Sequence, residues 1–227
     1  DMFIKVPFRQ DKVAGDYRNT IVRILFCNML SDRFDQLRRS QNPPFMSAGV
    51  SYNRLFTSAS YFNLAVKLKD DGVKEGIERA CEEVARVAQH GFTQTELERA
   101  KAELFSFVEA LNNEQDKTNS ANLIDEYTRN FLEDECIPGI ATEYELYSQY
   151  LPQIQLEEVN SIVQNYLKKD GRVIVATGKP QSFGSLSDSS LQSLVESALA
   201  SKQEPYEDLS LQDSLISEIP SAGKIRS

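Results

Sequence analysis

This chain of 227 residues has one histidine, three cysteines and no tryptophan. A zinc site of the histidine-rich kind cannot form within it, because His90 offers one imidazole where such sites use several. Cys27, Cys81 and Cys136 are odd in number and lack metal-ligand spacing, so no disulfide framework is expected. No apolar run approaches the roughly 20 residues that cross a bilayer. The sequence therefore predicts no metal, no cofactor and no membrane span in this chain.

Basic residues are also scarce, with 25 lysines and arginines against 34 aspartates and glutamates. The net charge of −9 argues against a nucleic-acid partner, which needs a concentrated basic face. Nucleophilic catalysis would have to use His90, for example together with Cys81. Those two residues are nine positions apart on one predicted helix, about 900° of rotation, and face opposite sides. An independent enzyme built on them is the weakest alternative.

The carboxylates of the predicted helices do not suggest an acid–base pair. They stand near lysines and arginines, and charges in that setting are usually solvated. This prediction of exposed surface covers Glu78, Glu82, Glu83, Glu96 and Glu98.

Apolar periodicity predicts an α+β fold in which an antiparallel sheet is backed by helices. Alternation over residues 2–8 indicates a strand, and Pro7 suggests that this strand lies at a sheet edge. Alternation over 46–52 and 61–68 predicts a hairpin. The other expected elements are helices at 17–39, 73–91, from 93, 123–132, 143–150, 157–167 and 189–200, and a strand at 172–177.

The segment from Leu37 to Phe45 comes nearest to chemistry. Arg38 and Arg39 lie at the predicted end of a long helix, and Pro43 prevents the helix from continuing. Phe45 then begins a strand, seven residues after Arg38. This spacing predicts a cation and an aromatic ring side by side at the sheet. The bland alternatives are a solvated or helix-capping arginine and a core phenylalanine.

Composition divides the chain near residue 180. Residues 1–180 are predicted to form one α/β domain, and the start at Asp1 suggests N-terminal truncation. Residues 181–227 are rich in serine, leucine and glutamine and have a net charge of −4. They are predicted to form a short helix followed by an acidic interdomain linker.

Several pieces occur in an order that resembles a known family. They are the helix ending at Arg38 with Phe45 and the hairpin after it, the run Gly91-Phe92-Thr93-Gln94-Thr95-Glu96-Leu97-Glu98-Arg99-Ala100-Lys101, and the strand near Val173 followed by Gly178-Lys179-Pro180. Together they resemble the pitrilysin/insulinase family of zinc metallopeptidases, to which mitochondrial processing peptidase is related.

The resemblance implies a clamshell of homologous α/β domains, in which zinc is held by a His-x-x-Glu-His motif on the first long helix of the N-terminal domain. The matching helix here begins Asp16-Tyr17-Arg18-Asn19-Thr20 and lacks every ligand. The chain thus resembles a non-zinc second domain, with zinc expected in the parent's N-terminal domain. Its expected role is to close the proteolytic chamber and help bind extended peptide. The implied partners are other domains of the parent chain and a peptide or protein substrate.

The resemblance also implies the candidate site residues. In two-domain relatives the second domain supplies an arginine and a tyrosine, seven residues apart, that hold the substrate carbonyl. Arg38 matches the arginine, and Phe45 occupies the tyrosine position without a hydroxyl. Arg38 and Phe45 are therefore the substrate-binding candidates, and no residue is predicted to be catalytic. Multi-domain bacterial relatives favour the periplasm or cell envelope.

A structural or docking domain of a catalytically inactive family member is the alternative from a different class. Some relatives are inactive core subunits of respiratory complexes, and the missing hydroxyl at Phe45 is compatible with such a role. A His-x-x-Glu-His motif in the upstream domain would favour the peptidase, and a degenerate motif would favour the scaffold.

Overall fold

A computed structural model describes residues 1–8, 12–56, 58–184 and 186–208. It confirms the α+β class with its antiparallel sheet and backing helices. The elements in chain order are β1 (Met2–Pro7), α1 (Ala14–Arg38), β2 (Ser47–Phe56), β3 (Ala59–Lys67), α2 (Val73–His90), α3 (Gln94–Asn113), α4 (Ser120–Glu133), α5 (Ile140–Tyr150), α6 (Leu156–Ser161), α7 (Gln164–Leu167), β4 (Arg172–Ile174), α8 (Pro180–Phe183) and α9 (Asp188–Ala200).

The strands form one sheet in the order β2-β3-β1-β4, and all neighbours are antiparallel. The predicted hairpin is confirmed as β2 and β3, with Val50 opposite Leu64. The edge position predicted for β1 is wrong, because β1 lies between β3 and β4. Pro7 is tolerated there because β4 pairs only with Met2 to Ile4, so the missing N–H interrupts no bond to β4.

Helix α1 is the centre of the core. It packs against β2 and against α2, α3, α5 and α6, which explains why apolar residues occur on most of its faces. Ile21, Leu25 and Phe26 are fully buried, and each such side chain stabilises the fold by about 1.5–3 kcal/mol. At its start the Asp16 carboxylate accepts hydrogen bonds from the N–H groups of Lys12 and Val13.

The turn between α2 and α3 follows the predicted cap signals. The Thr93 hydroxyl accepts from the Glu96 N–H at 3.2 Å, and the Glu96 carboxylate accepts from the Thr93 N–H at 2.7 Å. Gly91 ends α2 with a φ of +73°, and a Cβ there would come within 2.5 Å of the Asn160 side chain. Asn160 in turn accepts from the Phe92 N–H at 2.9 Å. Only glycine therefore fits this turn.

The C-terminal part of the described chain packs on α2. Helix α9 lies along α2 and buries Val195 and Ala198. Residues 201–208, termed here the strap, continue over the same helix, where the Gln203 N–H donates to the side-chain oxygen of Gln89 at 3.0 Å. The division near residue 180 stays a prediction, and positions 209–227 of the predicted linker lie outside the described residues. None of the described helices combines the length and apolar character that a bilayer crossing requires.

Candidate functional site

Arg38 and Phe45 lie at the two ends of the α1–β2 connection but in different environments. The Arg38 guanidinium is half-exposed and holds the Asp35 carboxylate at 2.8 and 3.3 Å, which lowers the pKa of Asp35. Phe45 is fully buried, and its ring packs edge-on against Phe34 at 6.1 Å. The structure therefore brings only the arginine to the surface. Substrate binding by either residue stays a prediction, and for Phe45 the geometry favours the core.

Strand β2 is the long edge of the sheet. Among the described residues it pairs with β3 on one side only, so one row of its backbone N–H and C=O groups has no strand partner there. The middle of β2 approaches α1 closely, and the Ser31 hydroxyl accepts a hydrogen bond from the Val50 N–H at 3.2 Å. The opposite edge, β4, has three residues and offers far less backbone. An extended peptide joining this sheet would thus find most of its hydrogen-bonding groups on β2.

A buried ion cluster joins α1, α2 and α3, and it was missed from the sequence. Arg33 is 1% exposed and binds Glu96 through two hydrogen bonds of 2.7 and 2.9 Å and Glu83 at 3.1 Å. Glu83 and Glu96 are 5% and 3% exposed, so their prediction as solvated surface is wrong. Both were misread because they fall outside the apolar stripes of their helices. A second layer of protein covers those faces.

The strap provides part of that second layer. The Arg33 guanidinium lies between the rings of Phe92 at 4.9 Å and Tyr206 at 4.1 Å, and cation–π attraction adds to the ion pairs. The Tyr206 hydroxyl donates to the side-chain oxygen of Gln36 at 2.5 Å. Arg86 reaches from Glu83 to the strap. Arg33, with its bidentate pair to Glu96 and the two rings, therefore connects the helices to the strap and has a structural role.

A cleft of about 600 Å³ opens at the end of the sheet, between its strands and helices α2 and α9. Its floor is apolar and includes Leu64, Ile77 and Cys81, while Lys179 and Asp70 form an ion pair of 2.9 Å among its lining residues. Burial raises the pKa of the Cys81 thiol to about 12, which makes it a poor nucleophile at neutral pH. The cleft thus offers shape and apolar surface but no reactive group at Cys81.

The described residues do not form a zinc site. They contain no cluster of three or more histidine, cysteine, aspartate or glutamate side chains that could hold a metal ion. His90 is exposed, and its Nε2 donates to the carbonyl of Gln203 at 2.8 Å. Cys81 is buried elsewhere on the same helix, as the opposed faces predicted. The described part of the chain therefore does not supply the set of ligands that zinc needs.

The fold is similar to one half-domain of pitrilysin/insulinase-type peptidases, and its first helix lacks the zinc ligands. Residues 14–104 match a family described as the Peptidase M16 inactive domain. This match confirms the predicted family relation. The matched part of the chain is similar to an inactive M16-type domain of the pitrilysin-family proteases.

Particular relatives agree with this class. The chain is 26% identical over 226 residues to a zinc protease PQQL-like protein of Arabidopsis thaliana, covering 97% of this chain and 20% of that protein. It is 24% identical to the chloroplastic stromal processing peptidase of Arabidopsis thaliana, covering 71% of this chain and 13% of that one. The periplasmic protease PqqL from Escherichia coli has the same fold, with a TM-score of 0.81 at 14% identity over 96% of this chain and 24% of that one. The chain thus spans a fifth or less of the curated relatives it matches.

Proposed function

We propose that this domain is the non-catalytic partner of a zinc endopeptidase domain, closes the proteolytic chamber, and helps to bind extended peptide substrate. The observation that carries the proposal is the match of residues 14–104 to an inactive peptidase domain, joined to a first helix that lacks zinc ligands. The metal would be held by the parent's N-terminal domain. This chain would supply surface to the substrate and no reacting group.

The edge of β2 supports the peptide-binding part of the proposal. In the described chain the ten residues of Ser47–Phe56 pair with a strand on one side only, and on the other side the Val50 N–H already donates to Ser31. Backbone pairing at a sheet edge requires no particular side chain of the peptide. Arg38, at the end of α1, is the side chain proposed to hold a substrate carbonyl, because a guanidinium donates to an oxygen that gains negative charge.

Hydrogen exchange on the full-length parent tests this function. With the catalytic glutamate of the upstream domain inactivated, a saturating peptide substrate should slow amide exchange within Ser47–Phe56 and leave the β4 amides unchanged. Metal analysis should find zinc in the full-length parent and none bound stoichiometrically to the 227-residue chain prepared by itself. Unchanged exchange in β2, or stoichiometric zinc in this chain, would contradict the proposal.

Kinetics of the parent test the proposed role of Arg38. Arg38→Ala should raise KM for peptide substrates several-fold, while Arg39→Ala, which removes a neighbouring exposed arginine, should not. An upstream domain without His-x-x-Glu-His would instead favour the docking domain of an inactive family member.

Two further properties are proposed with the same function. The domain boundary predicted at residue 180 is part of this proposal, and limited proteolysis tests it: a cut just after 180 would support it, whereas a fragment that keeps α9 and the strap, which pack on α2, would contradict it. The Escherichia coli relative PqqL is a periplasmic protease. By analogy we propose a periplasmic or cell-envelope location for the parent, which cell fractionation would test.

A further inference from the structure

Helix α4 is an amphipathic helix whose apolar side has no partner in the described chain. Four large side chains form this side, termed here the α4 stripe, and they are 62%, 56%, 85% and 65% exposed at Ile124, Tyr127, Phe131 and Leu132 respectively. No other helix or strand of the described residues packs along α4, and none of its own residues is buried. Its attachments include a hydrogen bond and an ion pair from Arg54 to Glu133.

The α4 stripe is a large apolar patch. With side chains of roughly 150–250 Å² each, its exposed area is on the order of 500 Å². This area is in the range of the largest apolar patch on a typical soluble monomer, roughly 300–600 Å², and such patches are often functional. The helix is well made, since the Asn119 side chain caps it by accepting from the Ala121 N–H at 2.9 Å. A stable helix with an open apolar side implies that something covers that side.

The surrounding charge identifies the kind of partner. Residues 109–135 contain eight acidic and two basic side chains, a net charge of −6 within a chain of −9. Asp125 and Glu126 lie on the polar side of α4 and form no ion pair with a lysine or arginine of the described chain. A second copy of this surface would be repelled by like charge. A partner with an apolar stripe bordered by lysine or arginine would meet both features.

We propose that the α4 stripe binds a basic amphipathic segment of another polypeptide, whose apolar side covers Tyr127 and Phe131 and whose cations meet Asp125 and Glu126. This surface uses helix side chains and does not depend on the backbone edge of β2. Failure of peptide pairing at β2 would therefore leave this proposal standing, and the reverse also holds.

The test uses the 227-residue chain and a fluorescein-labelled 18-residue peptide with leucines on one helical side and lysines on the other. Anisotropy titration should give a micromolar Kd. Phe131→Ser should weaken binding about tenfold or more, since a central aromatic side chain dominates such contacts. Charge reversal by Asp125→Lys with Glu126→Lys should also weaken it, and so should added salt.

Controls separate the stripe from general stickiness. Phe107→Ser removes a phenylalanine that is 61% exposed on α3 and should leave the Kd unchanged. A matched peptide with glutamate in place of lysine should not bind. Far-UV circular dichroism should show that the Phe131→Ser variant keeps its helices.

Four outcomes with the 227-residue chain would overturn the proposal, and a fifth concerns the full-length parent. They are no binding, equal binding of the glutamate peptide, equal loss with Phe107→Ser, and self-association of the chain that Phe131→Ser abolishes. If the peptide binds this chain but not the full-length parent, a parent domain already covers the stripe and the proposal is wrong. Binding to both, lost in Phe131→Ser, would establish it.

Discussion

Replacing Arg33 by methionine tests whether the buried ion cluster holds three helices together. The change keeps an unbranched side chain but leaves Glu83 and Glu96 without their shared cation. Breaking a buried pair by removing one partner costs about 3–5 kcal/mol. Here Glu83 keeps Arg86 at 2.9 Å and Glu96 keeps the Thr93 N–H, so we expect a loss of about 3 kcal/mol, near the lower limit.

Urea unfolding followed by circular dichroism measures this loss. In a thermal scan the same change corresponds to a fall in Tm of roughly 6–12 °C for a domain of this size. Arg38→Met is the matched control, because Arg38 lies on the same helix and its pair with Asp35 is half-exposed. The control should lose no more than about 0.5 kcal/mol. A loss for Arg33→Met below about 1 kcal/mol, or equal to that of the control, would refute the reasoning.

The remaining predictions concern thiol reactivity and an ion pair. Burial raises the pKa values of Cys27 and Cys81 to about 12. A chromogenic disulfide at pH 8 should therefore label only the exposed Cys136 until urea is added. Three thiols titrated in the native state would contradict this. The hydrogen bond from Arg18 lowers the pKa of Glu158, so their pair stabilises the fold above the carboxylate's ordinary pKa and that contribution is lost as pH falls through the lowered value. Arg18→Ala should therefore destabilise the fold by about 0.5 kcal/mol at pH 7 and by nearly nothing in strong acid. Urea unfolding midpoints of the variant and the original chain at the two pH values would measure this. The same loss of stability at both pH values would refute the prediction.

Secondary-structure elements and their pairing could be predicted from the sequence where the apolar periodicity fits only one type of structure. The alternation of β2 and β3 predicted the hairpin, and Thr93 with Glu96 predicted the start of α3. Pro7 misled because proline excludes a ladder bond at one position only, and a short neighbouring strand removes the conflict.

The ion cluster could not be predicted by the same means. Periodicity identifies the side of a helix that meets the core, but Glu83 lies about 200° around α2 from Cys81 and is buried by a different layer. The contact from Tyr206 to Arg33 joins residues 173 positions apart, and no local pattern encodes such a pairing. The sequence nevertheless contained one signal for the position of Glu96, because the predicted capping box requires its carboxylate to turn back toward the Thr93 N–H and away from solvent.

Helices α2 and α4 show why an apolar stripe alone does not locate a core. Both are amphipathic, but α9 covers α2, whereas nothing in the described chain covers Phe131 on α4. Charged groups resolve the ambiguity more sharply than apolar ones, since a buried charge tolerates few arrangements. The packing of α1 against α2 and α3 pairs Arg33 with both Glu83 and Glu96, and the strap adds the Tyr206 ring. The cluster is thus consistent with the helix sides that meet inside the domain, and the uncovered apolar side of α4 is the surface proposed to bind a partner.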